Sequence, residues 1–339
     1  MPRAILTIKR QALIDNALSL YEYSKKPIIA VVKANAYGVG MREVSRVLEE
    51  LDCVHAFAVA CVEEGIELRL AGISKKILVL GGLLRGEEKD LLEYRLTPVV
   101  SHREHLEAIR GMNITFHVKY DTGMGRLGFM EELIEDERVE GILSHFSSPL
   151  DREFSLRQVE TFRRIVMSYG KRLPYIHMES SAGLLYRLDF TTHIRVGLAL
   201  YGEKPAPDYP VELKRVLSLK ARLISVKELP PNHPVSYSRS YITSKPTLVG
   251  VVAFGYADGL MKSLSNRGFL YYRGKPVPVI GNITMDMTML DLTGTDAKVG
   301  DWVDIVGEEQ SFGDLAKLAG TIPYELMTNL SSRIRRELC

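Results

Sequence analysis

The chain has little cysteine, one tryptophan and no excess of either charge. Its 339 residues include 3 Cys (Cys53, Cys61 and Cys339) and 1 Trp. Three cysteines form neither an even disulfide set nor a metal-ligand spacing, so no metal site is expected and a reducing, cytoplasmic setting is. Lys+Arg, at 44, nearly balances Asp+Glu, at 42, for a net charge of +2. That balance supplies no global field for nucleic acid. No apolar run reaches the ~18 residues of a membrane span. Met1-Pro2-Arg3-Ala4 leads into a mixed segment without a signal-peptide core. No nucleic-acid or membrane partner is therefore expected. What remains is ordinary globular composition, 46% hydrophobic and 25% charged, in a chain long enough for about two domains.

Between residues 27 and 202 two textures alternate. Short runs rich in Val, Ile and Leu read as strands buried on both faces: 28–33, 56–61, 77–80, 97–100, 115–120, 141–144, 175–178 and 194–198. Helical periodicity lies between them at 42–51, 63–70, 87–94, 103–110 and 156–169, with a short piece at 183–187. The longest of these places Leu156, Val159, Phe162, Ile165 and Val166 on one stripe. Eight β/α units predict a TIM (β/α)8 barrel over 8–205. A doubly wound nucleotide-binding sheet would show G-x-G-x-x-G after its first strand, and Lys33-Ala34-Asn35-Ala36-Tyr37-Gly38 does not. Residues 204–210 hold three prolines and read as a linker. Beyond it, runs at 219–226, 247–254, 269–272, 277–280, 287–292 and 302–306 predict a mainly β C-terminal domain over 211–339. Residues 312–319 and 324–334 read as helical.

In a TIM barrel the active site lies at the C-terminal ends of the strands. Lys33 finishes the apolar run Ile28-Ile29-Ala30-Val31-Val32. It is either a lysine snorkelling from the rim or a partly desolvated amine suited to Schiff-base chemistry, and position alone does not decide. Strand five runs into Lys119-Tyr120-Asp121-Thr122-Gly123-Met124-Gly125-Arg126-Leu127-Gly128, a loop suited to an anion, with Arg126 able to clamp a carboxylate. Strand six supplies His145. Strand seven supplies His177 and then Glu179-Ser180-Ser181-Ala182-Gly183, whose hydroxyls and amides suit a phosphate. Strand eight carries Arg195, with Gly197 close behind. Each residue alone has a structural explanation: a satisfied rim histidine, or a buried arginine paired with a carboxylate. Together they outline a cationic site for a phosphorylated cofactor or substrate.

These residues also carry a resemblance. Ala30–Gly38 is similar to the pyridoxal phosphate (PLP) lysine motif of the alanine racemase family, and Lys119–Gly128 to its K-x-D-T-G-M-x-R-L-G motif. Ser144-His145-Phe146-Ser147 and Arg195–Gly202 resemble its strand-six and strand-eight motifs. Leu217–Arg222, Gly255-Tyr256-Ala257-Asp258-Gly259 and Gly281-Asn282-Ile283-Thr284-Met285-Asp286 follow in the family's order. The resemblance implies a barrel followed by a β domain that an N-terminal strand within 1–7 joins. It implies a homodimer with shared sites, and alanine racemisation that supplies D-alanine for peptidoglycan. It implies Lys33 as Schiff-base lysine and one base, and the partner subunit's Tyr256 as the other. It places Arg195 at the pyridine nitrogen, Tyr37 beside the cofactor, Ser181, Gly197 and Leu198 at the phosphate, and His177 against Arg195. Arg126 and the partner's Met285 would bind the substrate carboxylate. Lys119, carbamylated in many members, would hold Arg126, His145 would orient Tyr256, and Asp286 would support the site. Val39, Glu179, Ser180 and Ser332 depart from the usual pattern.

Racemisation removes the Cα proton from one face and returns a proton to the other, so two bases of different type fit. An arginine at the ring nitrogen cannot accept a proton, which keeps that nitrogen unprotonated and weakens the electron sink that other PLP reactions use. A decarboxylase of the same architecture would use a carboxylate there and a Cys acid. A non-catalytic PLP-binding barrel would lack the β domain and Tyr256. A racemase of serine or another amino acid differs only in pocket details.

Overall fold

The structure, a computed structural model, describes residues 1–130 and 132–339. Two compact units divide it: 13–200 with 204–214, and 1–12 with 201–203 and 215–339. The chain opens with β1 (Ala4–Ile8) and α1 (Arg10–Ser24). The first unit then contributes β2 (Ile28–Val31), β3 (Val54–Val59), β4 (Lys76–Val79), β5 (Thr97–Val100), β6 (Phe116–Lys119), β7 (Val139–Leu143), β8 (Tyr175–His177) and β9 (Ile194–Val196). These form one eight-stranded sheet in the order β8-β7-β6-β5-β4-β3-β2-β9, and every ladder is parallel. β8 and β9 close the ring through looser backbone bonds: Thr192 N and His193 N donate to Ile176 O at 2.7 and 3.2 Å, and Arg195 N to Glu179 O at 2.8 Å. The result is the expected (β/α)8 barrel. Its strands are mainly apolar on both faces because side chains fill the interior and helices cover the outside, with Lys76, His117, Lys119, Glu140, His177 and Arg195 as polar exceptions.

The helices of this unit are α2 (Lys33–Tyr37), α3 (Met41–Glu49), α4 (Val62–Leu70), α5 (Glu88–Glu93), α6 (Arg103–Ala108) and α7 (Arg152–Ser168). A 3-10 turn, Ala182–Tyr186, stands where the short piece at 183–187 is expected. Asp151 starts α7 by accepting from Phe154 N at 3.0 Å. The buried face of α7 differs from the apolar stripe. Ser155, Gln158, Val159 and Phe162 point inward, and Leu156 is 46% exposed. Gln158 sets that rotation: it donates to His145 O at 3.2 Å and accepts from Ser147 N at 3.0 Å.

The second unit adds β10 (Leu217–Leu229), β11 (Pro234–Val235), β12 (Tyr241–Ile242), β13 (Thr247–Val252), β14 (Phe269–Tyr272), β15 (Lys275–Pro278), β16 (Thr288–Asp291), β17 (Trp302–Val306), α8 (Phe312–Ala319), α9 (Pro323–Thr328) and β18 (Arg335–Leu338). β10 is its spine, pairing with β1, β13 and β17. β1 lies antiparallel to β10, with Ala4 opposite Ala221, and parallel to β18, with Ile5 opposite Arg335. α8 begins in a capping box between Ser311 and Asp314. Glu203 adds its carboxylate to Phe312 N and Gly313 N at 3.0 and 2.9 Å. The helix expected over 324–334 stops at Thr328, and the chain beyond turns into β18. Among the described residues no helix is long and apolar enough to cross a membrane.

Candidate functional site

Lys33 stands at the end of β2, on the first residue of a turn of unusual hand. Ala34, Asn35, Ala36 and Tyr37 take φ of 52°, 54°, 52° and 56°, a left-handed run that L-residues rarely sustain. Side chains hold it. Glu64, from α4, accepts from Ala34 N at 2.6 Å and from Ala60 N at 2.7 Å. Asn35 Oδ1 accepts from Met41 N at 2.8 Å at the start of α3. The turn leaves the Lys33 amine half-buried. Burial, with the facing Arg126 and Arg195 guanidinium groups, lowers its pKa against the opposing pull of Glu64.

β6 brings Lys119, which is buried. Burial together with Arg195 and Arg126 takes its amine down to about 8. The loop that follows is shaped by Asp121, whose carboxylate accepts from Gly123 N, Met124 N and Arg126 N at 2.9, 2.7 and 2.9 Å. The loop returns at Gly128, with φ +136°, where a Cβ would lie 2.4 Å from Asp121 N. Arg126 itself is exposed.

Arg195, on β9, is buried and held from three sides. Nη2 donates to Ser144 O at 2.9 Å and to His145 Nδ1 at 2.8 Å, and Nη1 to His177 Nδ1 at 2.7 Å. A guanidinium only donates, so both Nδ1 atoms are bare and each imidazole carries its proton on Nε2. Burial and Arg195 push both histidines well below their usual range, which keeps them neutral. Desolvation takes Arg195 itself down to about 10.

Ser181 Oγ accepts from Gly197 N and Ala199 N, each at 3.2 Å, so its own proton is left for a further acceptor. Leu198 lies between them, buried. Tyr37 packs against Gly197 so closely that a Cβ there would meet its hydroxyl at 2.5 Å. Glu179, beside this cradle, is fully buried and paired with Lys26 at 2.8 Å, and Thr191 Oγ1 donates to it at 2.8 Å. Ser180 Oγ accepts from Gly183 N at 3.3 Å, and Val39 is a core residue.

The β unit gathers the rest. Tyr256 N donates to Thr284 O and Ala257 N to Met285 O, both at 3.0 Å. The two motifs, separated in sequence, thus lie side by side with Tyr256 and Met285 about half exposed, at 45% and 53%. Arg333 pairs with Asp286 at 2.5 Å and approaches Asp258 at 3.8 Å. Ser332 is exposed next to it.

Lys33, Tyr37, Lys119, Arg126, His145, His177, Ser181, Arg195, Gly197 and Leu198 all belong to the barrel unit; Tyr256, Met285 and Asp286 belong to the β unit. Sequence reasoning missed Glu64, Lys26 and the buried His117, which lies 3.0 Å from His177. His117 sits inside a strand rather than at its end, and an isolated polar residue in Phe116–Lys119 was the available signal.

Two family models match the chain. Residues 8–205 match the family model described as alanine racemase, N-terminal domain, and residues 216–338 the model described as alanine racemase, C-terminal domain. The chain is 64% identical over 336 residues to the alanine racemase of Aquifex pyrophilus, covering 99% of this chain and 98% of that protein. It is 63% identical over 336 residues to that of Aquifex aeolicus (strain VF5), covering 99% of each. The crystal structure of alanine racemase from Bartonella henselae with covalently bound pyridoxal phosphate matches 100% of both chains, with a TM-score of 0.88 at 27% identity.

Proposed function

Because the chain belongs to the alanine racemase family, we propose that it interconverts L-alanine and D-alanine with pyridoxal phosphate as cofactor, supplying D-alanine for peptidoglycan in the cytoplasm. The observation that carries this reading is the convergence of Lys33, Lys119, Arg126 and Arg195 in one electrostatically coupled cluster. Two guanidinium groups beside two amines of lowered pKa call for an anionic ligand. The donor set fits pyridoxal phosphate in particular: an amine of lowered pKa for its aldehyde, a buried guanidinium for its ring nitrogen, and the Ser181 hydroxyl, with the backbone of Gly197 and Leu198, for its phosphate. Tyr37 would lie beside it. When bound, the cofactor supplies an electron-withdrawing ring that weakens the Cα–H bond of the amino acid.

The chain's own residues supply orientation and proton movement. Lys33 Nζ would hold the cofactor and move a proton on one face of Cα; its lowered pKa leaves more neutral amine near neutral pH. Tyr256 of the partner subunit moves the proton on the opposite face, which makes a homodimer the working unit. His145, fixed by Arg195 with Nε2–H outward, is available to orient that phenol. Arg126 and the backbone of Met285 of the partner subunit hold the substrate carboxylate, and Asp286 supports that backbone through Arg333. His177 holds Arg195 in place. Lys119, at about 8, keeps a neutral fraction that can add carbon dioxide, releasing a proton and giving an anion to steady Arg126.

The test is direct. Pyridoxal phosphate is added to the purified chain, the visible absorption band is recorded, and loss of optical rotation is followed for L-alanine, L-serine and L-lysine. The expected result is a band and fastest loss with L-alanine. A protein that develops no band overturns the reading.

A further inference from the structure

The barrel interior holds a polar row that continues past the groups assigned above. His177 and His117 are both fully buried, with His177 Nε2 3.0 Å from His117 Nδ1. His117 Nε2 stands 3.5 Å from Glu140 Oε1, an electrostatic contact too long for a hydrogen bond, and it has no other partner among the described residues. Glu140 pairs with Lys76 Nζ at 2.6 Å. Lys76 is the first residue of β4, and His117 and Glu140 are each the second of β6 and β7. His177 is the last residue of β8. The row therefore descends from Arg195 toward the strand starts, the end of the barrel opposite the catalytic mouth. Tyr175 stacks beside it, 5.1 Å from His117 and 4.5 Å from His193 between ring centres, so that layer is filled by rings.

The row has one consistent direction. Arg195 only donates, so His177 Nδ1 is bare and His177 Nε2 carries the proton. That proton goes to His117 Nδ1, which must be bare, and His117 Nε2–H then faces the carboxylate. Burial keeps both imidazoles neutral, with one N–H each. Burial also works against the Glu140 charge, but His117 and Lys76 outweigh it and hold the carboxyl at about 2. The far end is thus acceptor-only, as the near end is donor-only.

We propose that Glu140 and His117 are positioning residues for Arg195: the carboxylate at the strand starts selects the tautomers of His117 and His177, and so keeps a lone pair of His177 aimed at the guanidinium. The proposal rests on the reading of Arg195 as the group that meets the cofactor ring. Arg195 and Glu140 bias the row in the same direction; without the acceptor only Arg195 does, and the reversed form gains population. His117 would then carry Nδ1–H, His177 Nε2 would be bare, and His177 Nδ1–H would oppose an Arg195 N–H across 2.7 Å.

The test replaces the ion pair as a unit, Lys76→Met with Glu140→Met, so that no buried charge is left alone. Histidine-labelled full-length protein is compared by nitrogen NMR, with and without added pyridoxal phosphate. The wild type should show His177 protonated at Nε2 alone, and the double variant a mixture or the reversed tautomer. Racemisation kcat should fall about tenfold with KM for alanine within about twofold, because Arg126 is untouched. A second pair covers failure of the double variant to fold. His117→Gln keeps an acceptor and a donor in the row and should stay within about threefold of wild type, whereas His117→Phe should lose about tenfold. An unchanged His177 tautomer in the double variant overturns the proposal, as does equal impairment of the Gln and Phe variants. The tautomer is read without any turnover, so this failure is separable from an absent cofactor band, which would instead sink the functional reading.

Discussion

The barrel unit and the β unit prepare their candidate bases in different ways. Lys33 is half-buried, faced by two arginines, and its pKa is lowered before any ligand arrives. Tyr256 is 45% exposed on a loop that its backbone bonds to the Thr284–Met285 segment hold in place. On the proposed reading, the first base is tuned within its own unit and the second is presented on a loop that backbone bonds hold. The proposed two-subunit site calls for that contrast, and it can be broken experimentally.

The largest effect is expected at Lys33. Lys33→Ala should cost at least about a thousandfold in racemisation and abolish the absorption band. Tyr256→Phe should cost about a hundredfold to a thousandfold and leave the band intact. Equal loss of the band in both would erase the distinction between tuned and presented bases. Mixing the two variants under conditions of subunit exchange should restore about a quarter of wild-type activity, since half the dimers become mixed and each has one intact site. No recovery, with exchange demonstrated, would place both bases in one chain.

The units also differ in how they use charge. Glu140, held at about 2, contributes stability that is present above the unfolded carboxyl range near 4.5 and lost as pH falls toward 2. The linkage is worth about 3 kcal/mol, so the stability gap between wild type and Glu140→Gln should shrink by that order across this window. A constant gap in denaturant melts at several pH values would contradict it. Glu179→Ala strands the nearly buried Lys26 and should cost about 3 kcal/mol. The smallest effect belongs to the β unit: Lys9 and Glu308, 2.7 Å apart but largely exposed, should lose less than about 1 kcal/mol on Lys9→Ala.

The barrel was legible because strands buried on both faces leave mainly apolar runs, and all eight expected runs overlap a strand. α1 was not among the expected helices. Its inward face, Leu13, Ala17 and Leu20, includes Asn16, which is buried to donate to Leu200 O and Lys214 O and to accept from Lys214 N. A polar residue serving distant backbone looks like a gap in the periodicity. The over-long helix at 324–334 failed for the converse reason. Leu326, Met327, Leu330 and Ile334 have helical spacing and are all buried, but long-range pairing with β1 claims the chain beyond them. At the site, strand ends with unusual polar residues pointed to Lys33, Lys119, His145, His177 and Arg195. The left-handed turn after Lys33 carried no such mark, since of Ala34, Asn35 and Ala36 only Asn favours that conformation. Nor does anything local to Lys26 announce Glu179, 153 positions away.

The placement of β1 bears on how the protein is made. β1 is synthesised before the barrel, yet both of its partner strands, β10 and β18, come after it. On the ribosome the barrel sequence can emerge and collapse while β1 still has both edges unpaired. An unpaired strand edge is a template for aggregation, so this stretch is where a nascent chain would most need a chaperone. A ribosome stalled before β10 emerges would leave the barrel attached to an unmet strand.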